Sequence, residues 1–130
     1  MAEVWFPGVH SDVGGGYPER GLSDLALHWM LEQAEAQGLR IRPGEKARIQ
    51  GDPTGKRHQS FTPKWWLLGR HVRTVPEGAA VHTSVPRRME AIADYRPANL
   101  PECYEVVGES DQAAALEELS RQAQELDRGC

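Results

Sequence analysis

Apolar residues along the chain occur in short runs separated by long polar stretches, and these runs predict a few regular elements. Residues 3–6 carry three consecutive apolar side chains just before a Pro-Gly pair. A continuous apolar run that is bounded by turn residues is typical of a strand covered on both faces. We therefore predict a short buried strand at residues 3–6, followed by a loop that extends to residue 22.

A helical repeat of apolar residues follows at residues 23–37. Ser23 is a preferred N-cap residue, and Gly38 is placed for a left-handed C-terminal cap. Four apolar side chains share one face at a spacing of i, i+3, i+4 and i+7, namely Leu27, Met30, Leu31 and Ala34. This spacing predicts an amphipathic helix that buries that face against the rest of the protein.

The remaining helices are predicted in the second half of the chain. A short helix is expected within residues 81–95, with Ser84 as its cap and Pro86 in its first turn, where proline is tolerated. A long helix is expected at residues 111–127, which carry an apolar stripe of helical period. The second half of the chain is therefore predicted to consist mainly of helices and loops.

The other segments are predicted to be irregular or only briefly extended. Residues 40–62 are polar and rich in glycine and proline, which favours an exposed loop, disordered in part. The adjacent Trp65 and Trp66 favour a segment docked on the core, with a lipid or ligand contact as the alternative. Residues 104–107 favour a last short strand.

These elements include too few strands to form a complete sheet. A lone buried strand at residues 3–6 cannot satisfy its own backbone groups, and its neighbours are not evident in the sequence. We therefore expect an α/β fold that is a C-terminal fragment of a larger domain, mainly helices and loops with two or three short strands. Such a fragment is expected to be marginally stable or to self-associate.

Length and charge exclude several classes of function. The chain has 130 residues, the size of one domain, and a net charge of −4, which argues against a nucleic-acid-binding protein. Its first residues lack the basic and apolar regions of a signal peptide, and no apolar run approaches the ~18 residues of a membrane-spanning helix. These features predict a cytoplasmic protein without a transmembrane segment.

The stretch "WFPGVHSDVGGGYPE" holds the strongest candidate chemistry. His10 follows the predicted strand closely, and histidine is the usual general base for a serine or cysteine nucleophile. Asp12 could orient His10, hold a neighbouring backbone amide or cap the turn. Gly14, Gly15 and Gly16 would allow positive φ angles and a close approach of the backbone. The alternative interpretation is a turn with a solvated histidine.

Other motifs are weaker. "GDPTGKRH" is superficially similar to a phosphate-binding loop, but it is one residue short and has Arg57 where Ser or Thr should be. The histidines and cysteines lack the paired spacing of metal ligands, so we expect neither a metal nor a cofactor. His82, just before the predicted short helix, is a second candidate. It either belongs to an active site or anchors the start of that helix.

Three segments resemble the C-terminal part of a bacterial α/β-hydrolase domain family, formerly a domain of unknown function, that includes phospholipase effectors of type VI secretion systems. They are "VWFPGVHSDVGGGYPERGLSDLALHWMLEQAEAQGL", "VHTSVPRRM" and "YRPANLP". The resemblance covers residues 3–101 in order. It implies an α/β-hydrolase fold with a Ser–Asp–His triad in which the serine comes first along the chain. It also implies that His10 is the general base, with Asp12 and the glycines shaping its loop.

The chain departs from that family in one respect, because it contains no G-x-S-x-G nucleophile motif. We therefore expect residues 1–108 to be the C-terminal segment of an α/β-hydrolase-like domain and residues 109–130 to be a C-terminal helix. The serine and the triad acid would come from a missing N-terminal half, which is the expected partner.

Two interpretations of function follow. In the first, the chain is part of an esterase or phospholipase that acts on a phospholipid, is inactive alone, and is exported by a type VI system if it belongs to an effector. In the second, it is a non-catalytic interaction module or a truncated remnant that docks on a partner protein.

Overall fold

The computed structural model of the protein describes residues 3–59 and 72–108. The regular elements in these ranges are, in chain order, strand β1 (Val4–Trp5), helix α1 (His10–Gly14), helix α2 (Gly21–Ala36), a 3₁₀ turn (Lys46–Arg48), strand β2 (Ala80–His82), helix α3 (Ser84–Ala91) and strand β3 (Glu105–Val107). The predicted tryptophan segment and the helix predicted at residues 111–127 lie outside the described residues. No helix in the described ranges is long and apolar enough to cross a membrane.

The three strands form one parallel sheet in the order β1-β2-β3. Val4 lies opposite Ala80, and Ala80 lies opposite Glu105 on its other side. Helices combined with a small parallel sheet agree with the predicted α/β class, and the predicted first and last strands are confirmed. The expectation that the first strand has no evident neighbour is wrong, because β2, which the sequence did not reveal, pairs with it.

The centre of the sheet is the best-buried part of the described structure. Val81, in the middle strand, is fully buried, whereas Val4 and Trp5 are only partly buried. The prediction that the first strand is covered on both faces is therefore wrong. The physical reason is its position, since β1 is an edge strand of the described sheet and β2 takes the central place.

Helix α2 begins two residues earlier than predicted. Its N-cap is Arg20, and the hydroxyl of Ser23 donates to the Arg20 carbonyl at 3.2 Å within the first turn, so the prediction of Ser23 as N-cap is wrong. The C-terminal prediction is confirmed, because Gly38 has φ +97° and its N–H bonds to the carbonyl of Glu35 at 2.9 Å.

The apolar face predicted to be buried on α2 is partly exposed. Leu27 is 41% exposed and Met30 is 59% exposed. The helix instead turns Leu22 and Trp29 inward; Leu22 is buried, and the Trp29 ring meets Phe6 edge-on with 5.9 Å between centroids. Leu22 and Trp29 are two turns apart on one face of α2, and Trp29 on this face contacts the residue that follows β1.

The long polar loop after α2 is anchored rather than disordered over its described part. The buried carboxylate of Asp24 accepts the Gln50 N–H at 3.2 Å. The buried guanidinium of Arg88 donates from Nη1 to the carbonyls of Pro53 and Gly55, each at 2.7 Å. The loop stays ordered because these two buried charged groups satisfy its backbone, and it is thereby tied to both α2 and α3.

Candidate functional site

The carboxyl edge of the sheet brings the sequence-predicted residues into one region. Because the strands are parallel, their carboxyl ends lie at the same edge, where α/β proteins usually place binding and catalytic groups. The end of β1 leads through a tight turn into α1, which carries His10 and Asp12, and β2 ends at His82. Helix α1 itself was not predicted, since a loop was expected there.

His10 and Asp12 point in different directions. His10 is the first residue of α1 and is exposed, whereas Asp12 is only 3% exposed. Residues two apart on a helix do not face each other. Asp12 therefore does not orient His10, and no hydrogen bond or ion pair joins the His10 ring to another described residue.

The carboxylate of Asp12 is a hydrogen-bond centre. Its Oδ2 accepts the Val9 N–H at 3.0 Å, which caps the start of α1. It also accepts the backbone N–H of His58 at 3.1 Å, and its Oδ1 lies 2.7 Å from Nδ1 of the His58 ring. Three roles were considered for Asp12. The structure shows two of them, because its carboxylate holds neighbouring backbone amides and caps the turn.

His58 is the residue of this region that sequence analysis missed. Its ring is stacked on Tyr17 with 3.7 Å between centroids, and its Nε2 lies 3.2 Å from a carboxylate oxygen of Glu19. The side chain is 13% exposed. His58 and Asp12 are far apart in sequence, so no local spacing could have indicated the pair. The only signal was a histidine in a loop otherwise expected to be solvated.

Glu19 titrates abnormally because of this cluster. The hydrogen bond from Lys56, 2.9 Å from Nζ to Oε1, is the largest cause that lowers the pKa of Glu19 from 4.5 to about 2, followed by a backbone hydrogen bond and the contact with His58. A carboxyl whose pKa is lower in the folded state stabilises the fold at pH values above its unfolded pKa. This contribution is lost as pH falls through the folded pKa.

We therefore expect the Glu19 carboxyl to titrate with a midpoint of about 2. Carbon-13 NMR of the side-chain carboxyl measures this midpoint. Lys56→Met should raise it toward 4.5, because the largest lowering contact is gone. Arg48→Met, which alters a separate exposed ion pair with Glu45, is the matched control and should leave it unchanged. An unchanged midpoint in Lys56→Met would contradict the assignment.

The glycines after His10 behave as predicted at two of three positions. Gly15 has φ +84° and Gly16 has φ +123°, so both use the freedom that glycine provides. Gly14 is instead the last residue of α1 and has no positive φ. Gly8, with φ +117°, also uses this freedom, and it was not singled out from the sequence.

His82 is buried and anchors the start of α3. The ring is 5% exposed and stacks on Phe6 with 4.5 Å between centroids. Its Nδ1 accepts the N–H of Ser84 at 3.2 Å and lies 2.8 Å from the Ser84 hydroxyl. Because Nδ1 accepts a backbone N–H, it carries no proton, and a neutral ring is protonated at Nε2.

Ser84 is not the N-cap of α3. It is the first helical residue, Thr83 precedes it as the cap, and its side chain is 1% exposed. Ser84 does lie where a strand passes into a helix, but it lacks flanking glycines and the exposure of a nucleophile elbow. Within residues 3–59 and 72–108, no three His, Cys, Asp or Glu side chains form a group that could hold a metal ion.

The part of the chain that carries His10 and Asp12 matches a known protein family. Residues 1–33, which include β1, α1 and most of α2, match the family model described as T6SS, phospholipase effector Tle1-like, catalytic domain. The family resemblance is confirmed over these residues. The chain is also 47% identical over 49 residues to an uncharacterised protein of Saccharomyces cerevisiae, which is 34% of this chain and 7% of the yeast protein's length. No solved structure matches the chain significantly.

Proposed function

We propose that the chain is the histidine-bearing C-terminal segment of a serine α/β-hydrolase domain with esterase or phospholipase activity. The match of residues 1–33 to the catalytic domain of phospholipase effectors supports this proposal. The observation that carries it is the position of His10. This residue is exposed in the first turn of α1, directly beyond the carboxyl end of β1 in a parallel sheet.

In the proposed reaction His10 is the general base. It accepts the proton of a serine hydroxyl while the serine oxygen attacks the ester carbonyl, and it returns the proton to the departing alkoxide. The serine and the triad acid are supplied from outside this sequence. The outward direction of His10 suits this arrangement, and Asp12, already engaged by Val9 and His58, shapes the loop. The chemistry needs no metal or cofactor.

The substrate class and location in this proposal follow from the family. A phospholipid ester is the expected substrate, because the matched family model describes phospholipase effectors. The protein acts in or from the cytoplasm, with export by a type VI secretion system where the segment belongs to an effector.

A second candidate function is a non-catalytic interaction module. The observation that favours it is the apolar face of α2, on which Leu27 and Met30 are both exposed. An exposed apolar face on a helix is typical of a surface that contacts another protein. An upstream reading frame that encodes G-x-S-x-G in the same transcript would favour the hydrolase, and a transcript without one would favour the module.

The hydrolase proposal predicts that the isolated chain does not hydrolyse p-nitrophenyl esters above background. Its serines include none on an exposed, glycine-flanked elbow in the described residues. Joining a serine-bearing half should produce activity that a fluorophosphonate abolishes. Turnover by the pure isolated chain that is lost both with fluorophosphonate and in Ser84→Ala would contradict the proposal, since Ser84 would then be the nucleophile.

A further inference from the structure

The contacts of His58 connect the polar loop to the residue that precedes His10. Nδ1 of His58 lies 2.7 Å from Oδ1 of Asp12, and Oδ2 of the same carboxylate accepts the Val9 N–H at 3.0 Å. The Asp12 side chain is 1% exposed, so water contributes little to satisfying its charge. The charge of the carboxylate must therefore be satisfied by hydrogen-bond donors of the protein. The His58 ring provides the shortest of these hydrogen bonds.

Val9 is held at both of its backbone polar groups. Its N–H bonds to Asp12, and its carbonyl accepts the N–H groups of Asp12 and Val13 at 2.9 and 3.2 Å. Val9 is also the N-cap of α1, so its position sets the direction in which the helix starts. The first side chain of that helix is His10. A displacement of the Asp12 carboxylate would therefore change the direction of the His10 ring.

We propose that His58 is a positioning residue for His10 and acts through Asp12 and Val9. This inference rests on the proposed function, because it gives His58 a task in the same reaction. Stacking on Tyr17 and the contact of Nε2 with Glu19 fix the plane of the His58 ring, which keeps Nδ1 directed at Asp12. A neutral His58 ring carries its proton on Nδ1, since that nitrogen faces the buried carboxylate.

Amide hydrogen exchange on the isolated chain tests the inference without requiring activity. The amide of Val9 should exchange at least about tenfold faster in His58→Ala and in His58→Gln, because local opening exposes it. His58→Asn should retain protection close to that of the wild type, because an asparagine amide nitrogen occupies nearly the position of Nδ1. A glutamine amide falls near Nε2 instead. His28→Ala, which removes an exposed pair with Glu32, is the control and should leave Val9 unchanged.

The matched amide variants keep the test decisive if His58→Ala does not fold. Equal exchange at Val9 in the Asn and Gln variants would overturn the inference, as would a nitrogen-15 spectrum showing neutral His58 protonated at Nε2.

When a serine-bearing half is joined, kcat should fall in His58→Gln and recover in His58→Asn, with KM little changed. Absence of activity in every form would defeat the proposed function and leave the exchange result standing. An active enzyme indifferent to all His58 variants would defeat the positioning role alone.

Discussion

Replacing His10 with alanine should lower the rate of ester hydrolysis by several orders of magnitude in a form of the protein that carries a serine nucleophile. The proposed reaction needs a group that takes the serine proton as the carbonyl is attacked, and loss of a triad member has an effect of this size. The folded structure should tolerate the change, because the His10 ring is exposed and bonded to no other described residue. Steady-state kinetics and a thermal melt of the same preparation measure both quantities.

Two other histidines provide the controls. His82→Ala should mainly destabilise the protein, because the ring accepts the N–H of Ser84 at the start of α3 and stacks on Phe6. His28→Ala, on the surface of α2, should change neither rate nor melting temperature appreciably. If His82→Ala abolished activity with an unchanged melt while His10→Ala remained active, the general base would have been assigned to the wrong histidine.

Replacing Gly8 with alanine should lower the free energy of unfolding by about 3 kcal/mol or more, through strain and a steric clash together. The φ angle of Gly8 is +117°, which side-chain-bearing residues rarely adopt. A Cβ atom at this position would stand 2.5 Å from Cβ of Asp12. Asp12 cannot retreat easily, because its carboxylate is buried and bonded to both Val9 and His58.

Neighbouring glycines separate the two contributions. Gly14→Ala meets no atom within 4 Å and has no positive φ, so stability should be unchanged or slightly higher. Gly15→Ala also meets no atom, but its φ is +84°, so it isolates the cost of strain. Urea unfolding should rank the variants in the order Gly14→Ala, Gly15→Ala, Gly8→Ala from most to least stable. Equal stability of Gly15→Ala and Gly8→Ala would contradict the steric argument, and equal stability of all three variants would contradict the strain argument as well.

Elements with a repeating pattern were predictable from the sequence, and very short ones were not. The apolar residues of β1 and the helical period of α2 are strong local signals, and both elements are present in the structure. Strand β2 contains three residues and passes almost directly into α3, so it offers no alternation to detect. Helix α1 contains five residues and ends at a glycine, a composition that favours turns.

The site was predictable only in part, because its geometry depends on contacts between distant segments. The positions of His10 and Asp12 just beyond a strand were predictable from the sequence, but the pairing of Asp12 with His58 was not. A charged residue in a polar loop has the same local sequence pattern whether it is solvated or buried against a partner. Arg88 illustrates this, since it stands next to a second arginine, Arg87, in the sequence and is nevertheless buried on two loop carbonyls.

The parallel pairing of β1 with β2 delays formation of the carboxyl edge during synthesis. Val4 pairs with Ala80, so all of the intervening chain must leave the ribosome before the pair can form. At about 5–20 residues per second, this interval lasts several seconds. Closing so long a loop also costs chain entropy before any contact compensates for it, which slows folding. The segment that carries His10 is therefore synthesised before the strand that pairs with β1, and it reaches its final position only after that strand has left the ribosome.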